Sequence, residues 1–177
     1  MMKSTKSIKS TKKLVYTALM IALVTVGTMF IRVPSPRSGG YLNLGDAFIH
    51  LSSFFFGPYV GMLAGGLGSA LADVIGGYSH YAIFTLIIKG MMGYCVGYAQ
   101  SKRKGINKTT ILSLIIAELI MVIGYYFTNM FFSKTIFVGI ASIPSDMLQG
   151  AFGIILFLIM AKSLSFAGID KIIEKEK

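Results

Sequence analysis

Tyr81, Thr85 and Lys89 recur every four residues, a spacing that stacks a phenol, a hydroxyl and an ammonium along one face of a helix. Tyr125 and Asn129 repeat the interval, Asp146 and Gln149 lie three apart, and Asp46 precedes His50 by one helical turn. Donors and acceptors of this kind can hold a polar ring by hydrogen bonds without making or breaking a bond. Two other chemistries stay open. Asp73, His80 or Asp146 as acid and base would serve a small intramembrane enzyme, provided both groups reach one substrate. Lys89 with Glu118 would serve a proton-coupled carrier. Metal binding has less support, because His50, His80 and scattered aspartates lack the tight spacing of a zinc or nickel site.

The elements that must position these groups are set by composition. Of 177 residues 54% are hydrophobic and only 14% charged, and the mean hydropathy is +0.72. That is more apolar side chain than one soluble core can hide, so the chain reads as an integral membrane protein. Spanning helices need about 20 mostly apolar residues. Five runs qualify within a few residues: Leu14 to Ile31, Tyr59 to Ile75, Tyr81 to Ala99, Thr109 to Phe132 and Ile143 to Leu164. Leu44 to Phe56 is shorter, roughly 20 Å as a helix, and ends at Gly57-Pro58, which breaks one helix and starts the next. Counted as a short second span, it gives an all-α bundle of six transmembrane helices.

With both termini cytoplasmic, 13 of the 17 basic residues fall inside, leaving Arg32, Arg37 and Lys134 outside and Lys89 within a span. The positive-inside rule therefore supports an even number of crossings. A basic start before an apolar run could also mark a signal peptide, but the run is long and no small-x-small cleavage site follows, so it is kept as the first helix. The whole chain then reads as one membrane domain: a basic cytoplasmic segment 1–13, a bundle 14–165 and a cytoplasmic tail 166–177. Cys95 stands alone in an apolar run, so no disulfide is proposed and packing is its expected role.

In this orientation Asp46, His50, Asp73, Tyr81, Thr85, Tyr125, Asn129, Asp146 and Gln149 all lie in the outer halves of their helices. Their stripes can converge on a pocket open to the outside and closed inward, which argues against a through-channel. Each has a plainer reading. Lys89 can neutralise Asp73 or Glu118 as a structural pair; Glu118 sits deeper, near mid-membrane, where a structural role is expected. Asp146 can be a helix N-cap after Pro144 and Ser145, and His50 a satisfied internal histidine. Helix 3 carries two ladders of small residues, Gly57, Gly61, Gly65, Ser69, Asp73 and Ala64, Gly68, Ala72, Gly76, which permit close helix contact in lipid. Ala18 and Ala22 form a similar pair on the otherwise broadly apolar first helix.

Taken together, Ala18-xxx-Ala22, "GGYLNLGDAFIHLSSFFFGPYVGMLAGGLGSALADVIGG", "IIKGMMGYCVGY" and "IPSDMLQG" resemble the substrate-binding (S) subunit of an energy-coupling factor (ECF) vitamin transporter. The likeness covers nearly the whole chain, is most specific from Gly39 to Gly77, and is greatest to the group named for riboflavin, which also includes subunits for hydroxymethylpyrimidine and pyridoxine. It implies a multi-pass protein of the bacterial cell membrane that captures a vitamin outside, docks onto a transmembrane coupling protein through Ala18 and Ala22, and topples to deliver its cargo. Two cytoplasmic ATPases would use ATP and Mg; this chain would bind no cofactor, and it carries no G-x-x-x-x-G-K-[ST] loop of its own.

The resemblance makes residues 32–45 a lid. Gly39 and Gly40 would hinge it, Tyr41 would stack on a ring, and Asn43 and Asp46 would hydrogen-bond; a capped helix start at Asn43 or Gly45 is compatible with this. Asp46, Asp73 and Asp146 near the outer face favour a neutral or cationic ring over a carboxylate. The expected contacts are thus Tyr41, Asn43, Asp46, Tyr81, Thr85, Lys89, Tyr125, Asn129, Asp146 and Gln149, around pyridoxine or hydroxymethylpyrimidine, with riboflavin next.

Overall fold

The computed structural model describes residues 2–29, 32–34, 41–101 and 105–169, with backbone alone for 2–10, 32–34 and 41. Six helices follow in order: α1 (Met2–Met29), α2 (Gly45–Phe56), α3 (Pro58–Ile75), α4 (Ala82–Gln100), α5 (Lys108–Ser133) and α6 (Ile136–Phe166). Five of them are long and apolar enough to cross a membrane; α2 is not among these. Its 12 residues rise about 18 Å against a hydrocarbon core of about 30 Å. The expected short second helix is present, with nine of its 12 residues buried.

The helices alternate in direction. Gly45 opens α2 against Thr28 at the end of α1, and Gly57 closes α2 beside Gly97 near the end of α4. Gly57 joins α2 to α3 with φ 89°, a left-handed backbone that suits glycine and lets Pro58 start the next helix at once. At the other end of α4, Tyr81 meets Asn129 late in α5. One end of the bundle thus gathers the ends of α1, α3 and α5 and the starts of α2 and α4.

The all-helical expectation needs one correction at that end. Arg32–Pro34 (β1) and Tyr41–Asn43 (β2) pair antiparallel, with Arg32 opposite Asn43 and Pro34 opposite Tyr41. Three-residue strands are too short to leave an alternating pattern, so the segment reads only as loop from sequence. A second correction concerns α6, which begins at Ile136 and carries Pro144 inside it. Proline removes one intrahelical hydrogen bond, a loss that spanning helices tolerate. Ser142 Oγ donates to the Gly139 carbonyl at 3.0 Å and Ser145 Oγ to the Ser142 carbonyl at 2.8 Å beside it. Asp146 consequently sits in the third turn of α6, and the N-cap reading is withdrawn.

Both ladders of α3 are packing surfaces. A methyl group on Gly61 or Gly65 would strike the backbone of Gly93 or Lys89 in α4, and one on Gly68 would strike Val24 in α1. Ala64 joins Val24 and Ile49 in a small cluster between α1, α2 and α3. The main core lies between α2, α4, α5 and α6, where Leu51, Phe55, Met92, Leu114 and Phe157 are buried. Outside, every long helix exposes large apolar side chains, among them Leu14, Val74, Ile83, Leu112 and Phe137. A solvent of lipid explains both faces: apolar outside, and associated within by close backbone contact.

Candidate functional site

At the end where the ribbon lies, the helices enclose a polar cavity of about 250 Å³. Eight of the ten expected contacts line it: Asn43, Asp46, Tyr81, Thr85, Lys89, Tyr125, Asp146 and Gln149. Asn129 stands behind the wall and accepts a hydrogen bond from Tyr81 Oη at 2.9 Å. Tyr41 opens β2, but its side chain, like Gly39 and Gly40, lies outside the described residues. Five further residues complete the lining: Thr28, Ser69, Asp73, Met121 and Ser145. Sequence spacing could have found Ser69 and Asp73, which share the ladder of α3; Thr28 and Met121 give no such signal.

The floor is an ion pair. Lys89 Nζ donates to Asp46 Oδ1 at 2.5 Å and to Met121 Sδ at 2.8 Å, and it lies 5.7 Å from the centre of the Tyr125 ring. Lys89 is thereby held by Asp46 of α2 and not by either partner the sequence suggested, Asp73 or Glu118. Glu118 is paired instead with His50, Oε1 to Nε2 at 2.7 Å, and the histidine packs edge-on against Phe157. Both pairs are nearly sealed from solvent, as charges at such depth must be if they are not to carry a heavy desolvation cost. Lys89 thus pairs with Asp46 and Glu118 with His50.

Gln149 fastens the ribbon. Its Oε1 accepts from the Asn43 backbone N–H at 2.9 Å, while Nε2 donates to the Asn43 carbonyl at 3.2 Å and to Asp46 Oδ2 at 2.9 Å. Glycines 150 and 153, on the next turn of α6, lie against Glu118 and Asp46, and a methyl group on either would collide with those side chains. The amide can therefore reach β2 and α2 together. Above the floor, Tyr125 Oη donates to Thr85 Oγ1 at 3.2 Å.

Gln149→Ala removes both bonds to Asn43. At about 1 kcal/mol net each, their loss should raise hydrogen–deuterium exchange across residues 41–44 by at least about tenfold. Unchanged protection would show that the ribbon is held by other means.

A membrane-embedded helical bundle that closes one end around a small polar cavity is a solute-binding membrane protein. The chain belongs to a known family of this class: the family model for the S component of ECF-type riboflavin transporters matches residues 8–165. It is a multi-pass cell-membrane protein and a substrate-binding subunit, so the acid–base enzyme reading of Asp73, His80 and Asp146 is set aside.

The chain is also similar to individual proteins. The chain is 34% identical over 119 residues, 67% of each chain, to the thiamine precursor transporter HmpT of Lactococcus lactis. It is 49% identical over 102 residues to an uncharacterised protein of Pyrococcus woesei, covering 58% of this chain and 68% of the relative. A solved structure of the S component of a bacterial ECF transporter superposes with a TM-score of 0.67 at 24% identity, over 88% of this chain and 96% of that one, and so shares the fold.

Proposed function

We propose that this chain captures a small heteroaromatic vitamin precursor at the outer membrane face, and that hydroxymethylpyrimidine is its best candidate, ahead of pyridoxine. The observation that carries the reading is the cavity itself. Its volume of about 250 Å³ falls below the roughly 300–1,000 Å³ typical of sites for drug-sized ligands, which suits one ring better than a flavin. Its charged lining is Asp46, Asp73, Asp146 and Lys89, an acid-rich wall that disfavours carboxylate vitamins. The likeness to HmpT, named for a thiamine precursor, points the same way.

Orientation follows from charge. α1 starts and α6 ends at the end of the bundle opposite the cavity, the end that Lys12, Lys13, Lys108 and Lys162 flank. The positive-inside rule supports a cytoplasmic position for that end and an outward-facing cavity. Delivery would then use the partners of an ECF transporter: a transmembrane coupling protein and two ATPases, with the occupied subunit toppling inward. Ala18 and Ala22 are exposed on α1 and offer the coupling protein a surface of low bulk.

Two experiments test this. Denaturant extraction of the purified chain, followed by mass spectrometry, should recover a water-soluble pyrimidine or pyridine. Recovery of a flavin, or of a lipid-linked product, would overturn the ligand assignment. Ala18→Leu should lower uptake by at least about tenfold, equivalent to about 1.4 kcal/mol of helix association, while leaving ligand affinity unchanged. Normal uptake would remove α1 as the docking face.

A further inference from the structure

We propose that Asp146 reads an N–H donor on the ligand's edge, and that this makes the site selective for an aminopyrimidine over the same ring without its amino group. The inference rests on the function proposed above and assigns the substrate class to one side chain.

It follows from how several of the cavity's other polar groups are already engaged. Lys89 is held by Asp46, and the Gln149 amide is occupied by the Asn43 backbone and Asp46. Tyr81 gives its proton to Asn129, and Tyr125 gives its own to Thr85. On the same wall Asp146 Oδ2 is buried and has no hydrogen-bond partner among the described residues.

A carboxylate oxygen only accepts, and a buried acceptor left unmade costs stability, so whatever completes it must bring an N–H or O–H. With Asp146 the wall carries three acids, Asp46, Asp73 and Asp146, and one base, Lys89. Phosphorylated or carboxylated forms of a vitamin are repelled by that balance, whereas an exocyclic amine, with its partial positive charge, is attracted. A hydroxyl could also donate, but an amine conjugated to a ring nitrogen gains charge assistance when that nitrogen takes up a proton. The amino edge is therefore the better complement.

The test uses the full chain in detergent and two probes: 4-amino-5-hydroxymethyl-2-methylpyrimidine and the same ring lacking the 4-amino group. The unaltered protein should prefer the amino compound by about 10- to 100-fold, the range of a charge-assisted hydrogen bond. Asp146→Asn should bring the two affinities to within about threefold while leaving the weaker one in place. Asp146→Ser supplies the same readout if the amide variant does not fold. A preference that survives either replacement overturns the role of Asp146. Equal affinity of the unaltered chain for both rings overturns the inference but leaves vitamin capture standing. Binding of neither ring, with a vitamin of another class co-purified, overturns the aminopyrimidine assignment along with it.

Discussion

Asp46→Ala is expected to destabilise the protein by about 3–5 kcal/mol, the range for stripping one partner from a buried ion pair. Lys89 is 7% exposed and would keep the Met121 sulfur and the face of Tyr125 as its direct contacts. Neither neutralises an ammonium in a medium that cannot hydrate it. The reverse change, Lys89→Met, should cost less, because Gln149 still donates to the Asp46 carboxylate and that group can accept a proton. Asp46→Ala combined with Lys89→Met should recover part of the loss, since no member of the pair is then left charged. Thermal unfolding of the four proteins in one detergent closes the cycle, with a coupling energy of at least about 2 kcal/mol expected. Additive single effects would mean that the two side chains do not depend on each other.

How much of this site the sequence reveals depends on the range of the interaction. Tyr81, Thr85 and Lys89 share a helix, and helical period alone aligns them; all three line the cavity. Pairing across helices is another matter. Asp46 and Lys89 are 43 residues apart, and Gln149 reaches 106 residues back to Asn43. Asp73 and Glu118 have the same charge as Asp46 and occupy plausible depths, so composition cannot choose among them. Only the short α2, threaded down the middle of the bundle, brings Asp46 beneath Lys89 and His50 against Glu118. Its amphipathic signal is hidden because nearly every face of it is buried. Pro144 misled for a different reason: proline usually ends a helix in water, but in lipid the surrounding apolar run and the serine back-bonds keep α6 continuous. The two ladders of α3 were legible as packing surfaces, yet not as facing α4 and α1, because a small-residue stripe carries no label for its partner.

Those ladders set the second large effect. Gly93→Ala is expected to cost about 3 kcal/mol and to disturb the cavity at a distance. A methyl group at Gly93 would run into the carbonyl and backbone of Gly61, and no flexible side chain is there to move aside. The helices must separate instead, and α4 carries Tyr81, Thr85 and Lys89 with it. Gly65 already rests against the Lys89 carbonyl one turn further toward the cavity, so an outward shift of α4 draws the ammonium away from Asp46. Gly90 offers an internal control on the same helix. A methyl group there would lie 3.5 Å from the Met62 carbonyl, an ordinary contact. Gly90→Ala should therefore be neutral or slightly stabilising, because alanine is the better helix former. Melting temperature and ligand affinity measured on both variants separate the cases. Equal behaviour of the two would show that α3 and α4 are not locked by backbone contact at Gly61 and Gly93, and that the position of Lys89 is fixed by its ion pair alone.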